Sequence, residues 1–265
     1  MIKFFRKIRQ KLLVENKLRR YLVYAIGEIV LVVIGILIAL QINIWSEQKK
    51  IDKIEKTYLT RLSQDLDDNI TSWEKLIKFE NKRYKATKQF IKFGLNKNKD
   101  SVFTIFKLYF NPIARWDDLT MNRITFDEMK SSGKLDIISN DSIKINLLQL
   151  DQLYKKVIER NKTMKTSHDK YANDPIVEII NTINFIVIED KFKEIHPKNY
   201  STEEKIFHFN LIRNDILELF NNQKFMNYLV SYNYSYELIL GEIQEAYSKA
   251  LKLKQQIDSE LKKEK

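Results

Sequence analysis

Apolar residues fall into three patterns along this chain. From Tyr21 to Trp45 they run almost unbroken, fifteen of these positions being Leu, Ile or Val. As a helix rising about 1.5 Å per residue, that run spans about 37 Å, enough to cross a bilayer. Beyond it, Ile51, Ile54, Tyr58, Leu62, Leu66, Ile70, Trp73, Ile77, Tyr84 and Ile91 recur with a helical period. They predict a rod over 46–94, with Gly94 as the residue just past its end and "NKNKD" as a loop. The third pattern is its counterpart near the C-terminus. Leu229, Tyr232, Tyr236, Ile239, Ile243, Ala246, Ala250, Leu253, Ile257 and Leu261 mark one stripe of a rod over 222–263. The two rods match in length, and packed antiparallel they bury each other's stripes. Their spacing drifts from strict heptads, which favours a globular bundle over a coiled coil.

Between the rods, residues 95–221 predict a small helical head. "SVFTIFKLYF" reads as a short helix ended by Asn111-Pro112. In "ITFDEMKSSGKLDIISNDSI", Thr125 and Glu128 have capping-box spacing, with Ile124 and Met129 as a hydrophobic staple. Gly133 ends that helix and Ser139 is the candidate N-cap of the next, making a structural turn between two helices. The following helix turns Ile143, Leu147, Leu150, Tyr154 and Val157 inward. "INFIVIED" reads as a short strand over 184–189 or as a buried helical turn, which periodicity cannot separate. The expected fold is all-α: a membrane helix over 21–45 running into a long antiparallel helical bundle over 46–265.

Composition agrees. Five glycines and three prolines leave few places to break a helix, and the absence of cysteine excludes disulfides and thiolate sites. The net charge of +11 is uneven. Eight Lys/Arg precede the apolar run and five follow within the next twenty residues, so the N-terminus is expected in the cytoplasm. Met1, Phe5, Ile8 and Leu12 share one face of the basic tail 1–20, a pattern suited to lying on an anionic membrane surface. The run is too long for a cleaved signal peptide, and no small-residue cleavage motif follows it. It reads as an uncleaved signal anchor. Later charges alternate in sign, unlike a nucleic-acid groove.

One acid interrupts the anchor. Fifteen aliphatics contribute about −4 to −9 kcal/mol to insertion against about +3 for an acid near the centre, so Glu28 is tolerated. At 100° per residue, Tyr24, Glu28, Gly35 and Ala39 share a stripe, and Gly35 with Ala39 forms a small-x-x-x-small pair. This is a candidate helix–helix interface with another membrane protein or a second copy. A protonated Glu28, or one reaching toward the cytoplasmic interface, is the alternative.

The opening "MIKFFRKIRQKLL", the anchor "YAIGEIVLVVIGILIALQIN" and the later "SSGKLDIISN" together resemble a large family of uncharacterised bacterial membrane proteins. The resemblance is strong over the first 45 or so residues and moderate over 120–150. It implies a single anchor in the bacterial inner membrane and carries no activity, cofactor or catalytic residue. With the N-terminus inside, the body of the chain is then periplasmic.

Chemistry is sparse. His168, His196 and His208 lack metal-ligand spacing, and no nucleophile or phosphate-loop motif occurs; "SSGK" lacks the earlier Gly and the following Ser/Thr. His168 continues the inward stripe of its helix and reads as a core residue. Asp65, Asp67 and Asp68 read as a solvated face. Tyr232 and Tyr236 fall on the buried stripe, and Tyr234 does not. No cofactor or metal is called for, and the sequence leaves open whether a small molecule binds. The expectation is a non-enzymatic envelope protein: a binding or sensor-like module acting through partner proteins, or a scaffold or assembly factor of the cell envelope.

Overall fold

The computed structural model describes residues 18–96, 102–188 and 198–263. The basic tail 1–17, the loop 97–101 and the segment holding His196 and Pro197 lie outside the described residues, as does the side chain of Tyr21. Every regular element described is helical. In chain order these are α1 (Leu18–Asn96), α2 (Val102–Ala114), α3 (Ile124–Ser131), a 3₁₀ turn (Lys134–Ile137) and α4 (Asp141–His168). A π turn (Asp169–Asn173) then leads to α5 (Asp174–Ile179), α6 (Ile183–Ile188), α7 (Thr202–Asn221) and α8 (Gln223–Lys263). The chain divides into two compact units, Met1–Tyr58 and Leu59–Lys265.

In the first unit, α1 carries an N-terminal stretch long and apolar enough to cross a membrane, none of it buried. Between Leu22 and Trp45 every side chain is exposed except the half-buried Ala25 and Glu28. The amino group of Lys49 lies 4.0 Å over the Trp45 ring.

The second unit is a bundle. Its long helices are antiparallel, as expected: Ser63 Oγ donates to Asp258 Oδ1 at 2.6 Å, Tyr247 Oη to Glu74 at 3.1 Å, and Tyr236 Oη to Asn81 Oδ1 at 2.7 Å. Rising numbers on α1 thus meet falling numbers on α8. Helix α4 also runs against α8, with Asn140 bonded to Glu260 and Arg160 to Glu242. The stripe of α8 is buried from Leu229 to Ile257, and so are all five inward residues of α4. A second core joins Phe90 and Phe93 of α1, Ile113 of α2, Ile212, Ile216 and Leu219 of α7, and Phe225 of α8. Burying such side chains contributes about 1.5–3 kcal/mol each before conformational entropy is counted.

Several expectations are corrected. "INFIVI" is helix α6, with no strand there. Helix α2 passes Pro112 and ends at Ala114, since proline near a C-terminus removes only one bond. Gly94 lies inside α1 rather than beyond it. A Cβ there would sit 2.8 Å from Met226 Cε and 3.0 Å from Phe220, so the glycine permits a close approach. Past Trp73 the buried face of α1 is Leu76, Glu80, Arg83, Thr87 and Phe90 rather than Ile77, Tyr84 and Ile91, which are only half-buried. Polar residues on the true inner face concealed it from a reading of apolar period.

Candidate functional site

The corner between α3 and α4 differs from its sequence-based reading in chemistry. Thr125 is the second residue of α3, buried at 1% exposure, and no capping box with Glu128 forms. Ile124 is 70% exposed while Met129 is fully buried, so the staple is not made either. Another helix supplies the cap: the Thr125 N–H donates to Asp65 Oδ2 at 3.0 Å. One turn along α1, Asn69 pairs with both backbone groups of Asn122, donating to its O at 2.8 Å and accepting from its N–H at 2.7 Å. Asp68 accepts from the Asn122 side chain, and Asp67 pairs with Lys254. The aspartates read as a solvated face are therefore largely docking groups. Glu128 instead receives Arg61 at 2.6 Å.

Gly133 follows the end of α3 at φ +67°, a backbone conformation that disfavours other residues. Ser139 is not the N-cap; Asn140 is, its side chain accepting from the N–H groups of Ser142 and Ile143. The cap is one residue later because Ile138 is drawn into the core at 1% exposure.

Beneath this corner lies a cavity of about 30 Å³, lined by Asp65, Asn69, Arg123, Asp151 and Tyr154 among apolar neighbours. Arg123 Nη2 is 2.5 Å from Asp151 Oδ1, an ion pair too bent to be a hydrogen bond. Lys155 completes the neutralisation of Asp151, donating to its Oδ2 at 2.8 Å. Burial pushes the Tyr154 phenol up to about 12, against the opposing influence of Trp73, Asn69 and the Arg123 charge.

A second polar cluster holds the end of α2. Arg83 is 1% exposed; its Nη1 meets Glu80 Oε1 at 3.0 Å, its Nε donates to Pro112 O at 3.2 Å and its Nη2 to Arg115 O at 2.8 Å. The guanidinium stacks 4.3 Å from the Trp116 ring and 4.5 Å from Phe79. Tyr232 donates to Glu80 Oε2 at 2.5 Å, and burial together with the Glu80 charge holds its phenol far above the usual tyrosine range. His168 is buried as a core residue, with Nε2 2.9 Å from Ile113 O. His208 pairs with Asn184 at 2.8 Å. Each of these groups secures a chain end or a helix pair. Among the described residues, no group of His, Cys, Asp and Glu can hold a metal ion.

Tyr24, Glu28, Gly35 and Ala39 lie on the exposed span, and a Cβ on Gly35 would meet nothing within 4 Å. None of the described residues packs onto that glycine. Asp65, Asn69, Arg123 and Asp151 at the corner, and Arg83 in the second cluster, were missed as polar clusters. For Asp65, Asn69 and Arg83 the signal was the presence of charged and amide residues beside buried aliphatics on α1.

Residues 28–174 match the family of unknown function DUF6090. The chain belongs to that family. The match begins at Glu28, within the anchor motif, and takes in the whole corner, so both the anchor motif and the "SSGKLDIISN" motif fall largely inside the DUF6090 region. The opening "MIKFFRKIRQKLL" falls outside it. The Arg83 cluster and the corner cavity draw mainly on DUF6090 residues, with α8 adding Tyr232 to the former. No curated protein and no solved structure matches the chain.

Proposed function

We propose that this protein is a single-pass bacterial inner-membrane protein whose periplasmic helical bundle acts by binding other proteins rather than by catalysis. Orientation rests on the eight Lys/Arg before the span against five in the twenty residues after it. The observation that carries the binding reading is a mismatch between inside and outside. Inside, the cavity under the corner holds about 30 Å³, about a tenth of what a small-molecule site encloses, and the larger hollows, about 530 and 390 Å³, are open surface grooves between α4 and α8. On the outside, Tyr234 is 86% and Leu238 57% exposed, one turn apart on α8. A small-metabolite sensor needs room inside; a protein-binding module needs apolar anchors outside. The span offers a second contact surface at Tyr24, Glu28, Gly35 and Ala39, for another membrane protein or a second copy.

Cross-linking and pull-down from native membranes tests the reading, comparing the wild type with Glu28→Leu and with Tyr234→Ser/Leu238→Ser. The expected result is a reproducible partner that one of the variants loses. An unchanged partner set in both removes the support for these surfaces. Deleting the protein separates a scaffold or assembly role from a sensor-like one: without a scaffold the partners dissociate from one another, whereas without a sensor they stay assembled. A C-terminal reporter fusion tests the orientation, and activity confined to the cytosol overturns it.

A further inference from the structure

The cavity beneath the corner is walled mainly by apolar side chains, and the few polar atoms that reach it are unequally satisfied. Tyr154 is 4% exposed and lines the cavity; its Oη lies near the Trp73 and Asn69 side chains but makes no well-aligned hydrogen bond with either. The Nε–H of Arg123, which also lines it, is likewise buried without an acceptor. Asp151 Oδ1 makes an ion pair but no hydrogen bond, so it retains capacity to accept. Buried polar groups in folded proteins almost always find a partner, and a cavity above about 10–15 Å³ with two to four polar neighbours admits water. The cavity measures about 30 Å³.

The identity of the occupant follows from charge. The carboxylates of Asp65 and Asp151 are balanced by Arg123 and by Lys155, which donates to Asp151 Oδ2, so the cavity has no net charge to hold an ion of either sign. Inward-directed donors on Arg123 and Tyr154 repel a cation. A neutral molecule that accepts twice and donates twice satisfies all of them, and only water is small enough.

We infer that the cavity is a specific internal-water site, in which an ordered water accepts from Arg123 Nε–H and Tyr154 Oη–H and donates to Asp151 Oδ1. The water then joins the segment leading into α3 to α4 at the corner. This inference is independent of the proposed partner-binding role. A crystal structure of the full chain in detergent, at a resolution that shows waters, tests it directly. Electron density within hydrogen-bond distance of both Arg123 Nε and Tyr154 Oη is the expected result. A collapsed or empty cavity overturns the proposal. Tyr154→Phe provides a second measurement. If water satisfies the hydroxyl, its loss lowers Tm by about 2–4 °C; if the hydroxyl is an orphan, its removal leaves Tm unchanged or raises it, which overturns the proposal.

Discussion

Replacing Arg83 with methionine removes a charge from the protein interior while keeping most of the side-chain volume. Three things are lost together: the ion pair to Glu80, the donor to Pro112 O and the donor to Arg115 O. Glu80, only 3% exposed, keeps the hydrogen bond from Tyr232. Removing one partner of a buried pair costs about 3–5 kcal/mol, because the other is left as an uncompensated charge. A unit spanning Leu59–Lys265 loses about 2–4 °C in Tm per kcal/mol, so the expected fall is about 6–20 °C. The double variant Glu80→Gln/Arg83→Met removes both charges and should lose no more than about 2 kcal/mol. Urea unfolding of the full chain in detergent micelles, followed by far-UV circular dichroism and Trp fluorescence, gives both values. Loss of less than about 1.5 kcal/mol in the single variant refutes the argument, since the pair would then not be desolvated. A double variant as unstable as the single one also refutes it, placing the cost in packing around Trp116 instead.

The corner makes two further predictions. Gly133→Ala should cost about 1 kcal/mol by the same assay, because the strain comes from φ +67° while the space around it is open. Asp65→Ala should cost about 1 kcal/mol through the lost cap on Thr125 N–H, and no cost would mean that water replaces it. Burial pushes Tyr154 and Tyr228 each up to about 12 from an ordinary 10.0. Their raised folded values mean that stability is full below pH 10 and is lost as pH rises toward 12. Ultraviolet titration should therefore show these phenols ionising only with unfolding, and a smooth titration near 10 in the folded protein would contradict it. At the acid end, burial pushes the Glu242 carboxyl up, but Arg160 and Lys156 outweigh it and hold it below the usual range. That contribution is present above the unfolded value near 4.5 and fades as pH falls through the folded one, so Glu242→Gln should flatten the acid limb of stability against pH.

The sequence by itself determined the helical class, the apolar span, the two long helices and the inward faces of α4 and α8. These depend on period and length, which local propensity and burial enforce without reference to distant partners. The inner stripe of α8 could be read residue by residue because it is apolar from Leu229 to Ile257 apart from its tyrosines and the buried Glu242. The inner face of α1 could not, since Glu80, Arg83 and Thr87 occupy it and look like solvent-facing positions until α2 and α8 supply their partners. The corner shows the same division. Gly133 was legible because its positive φ is a local demand, whereas the cap on α3 comes from Asp65, sixty residues earlier. Only tertiary structure decides which of several acids and amides meets an unpaired backbone group, because that choice depends on which helices lie side by side.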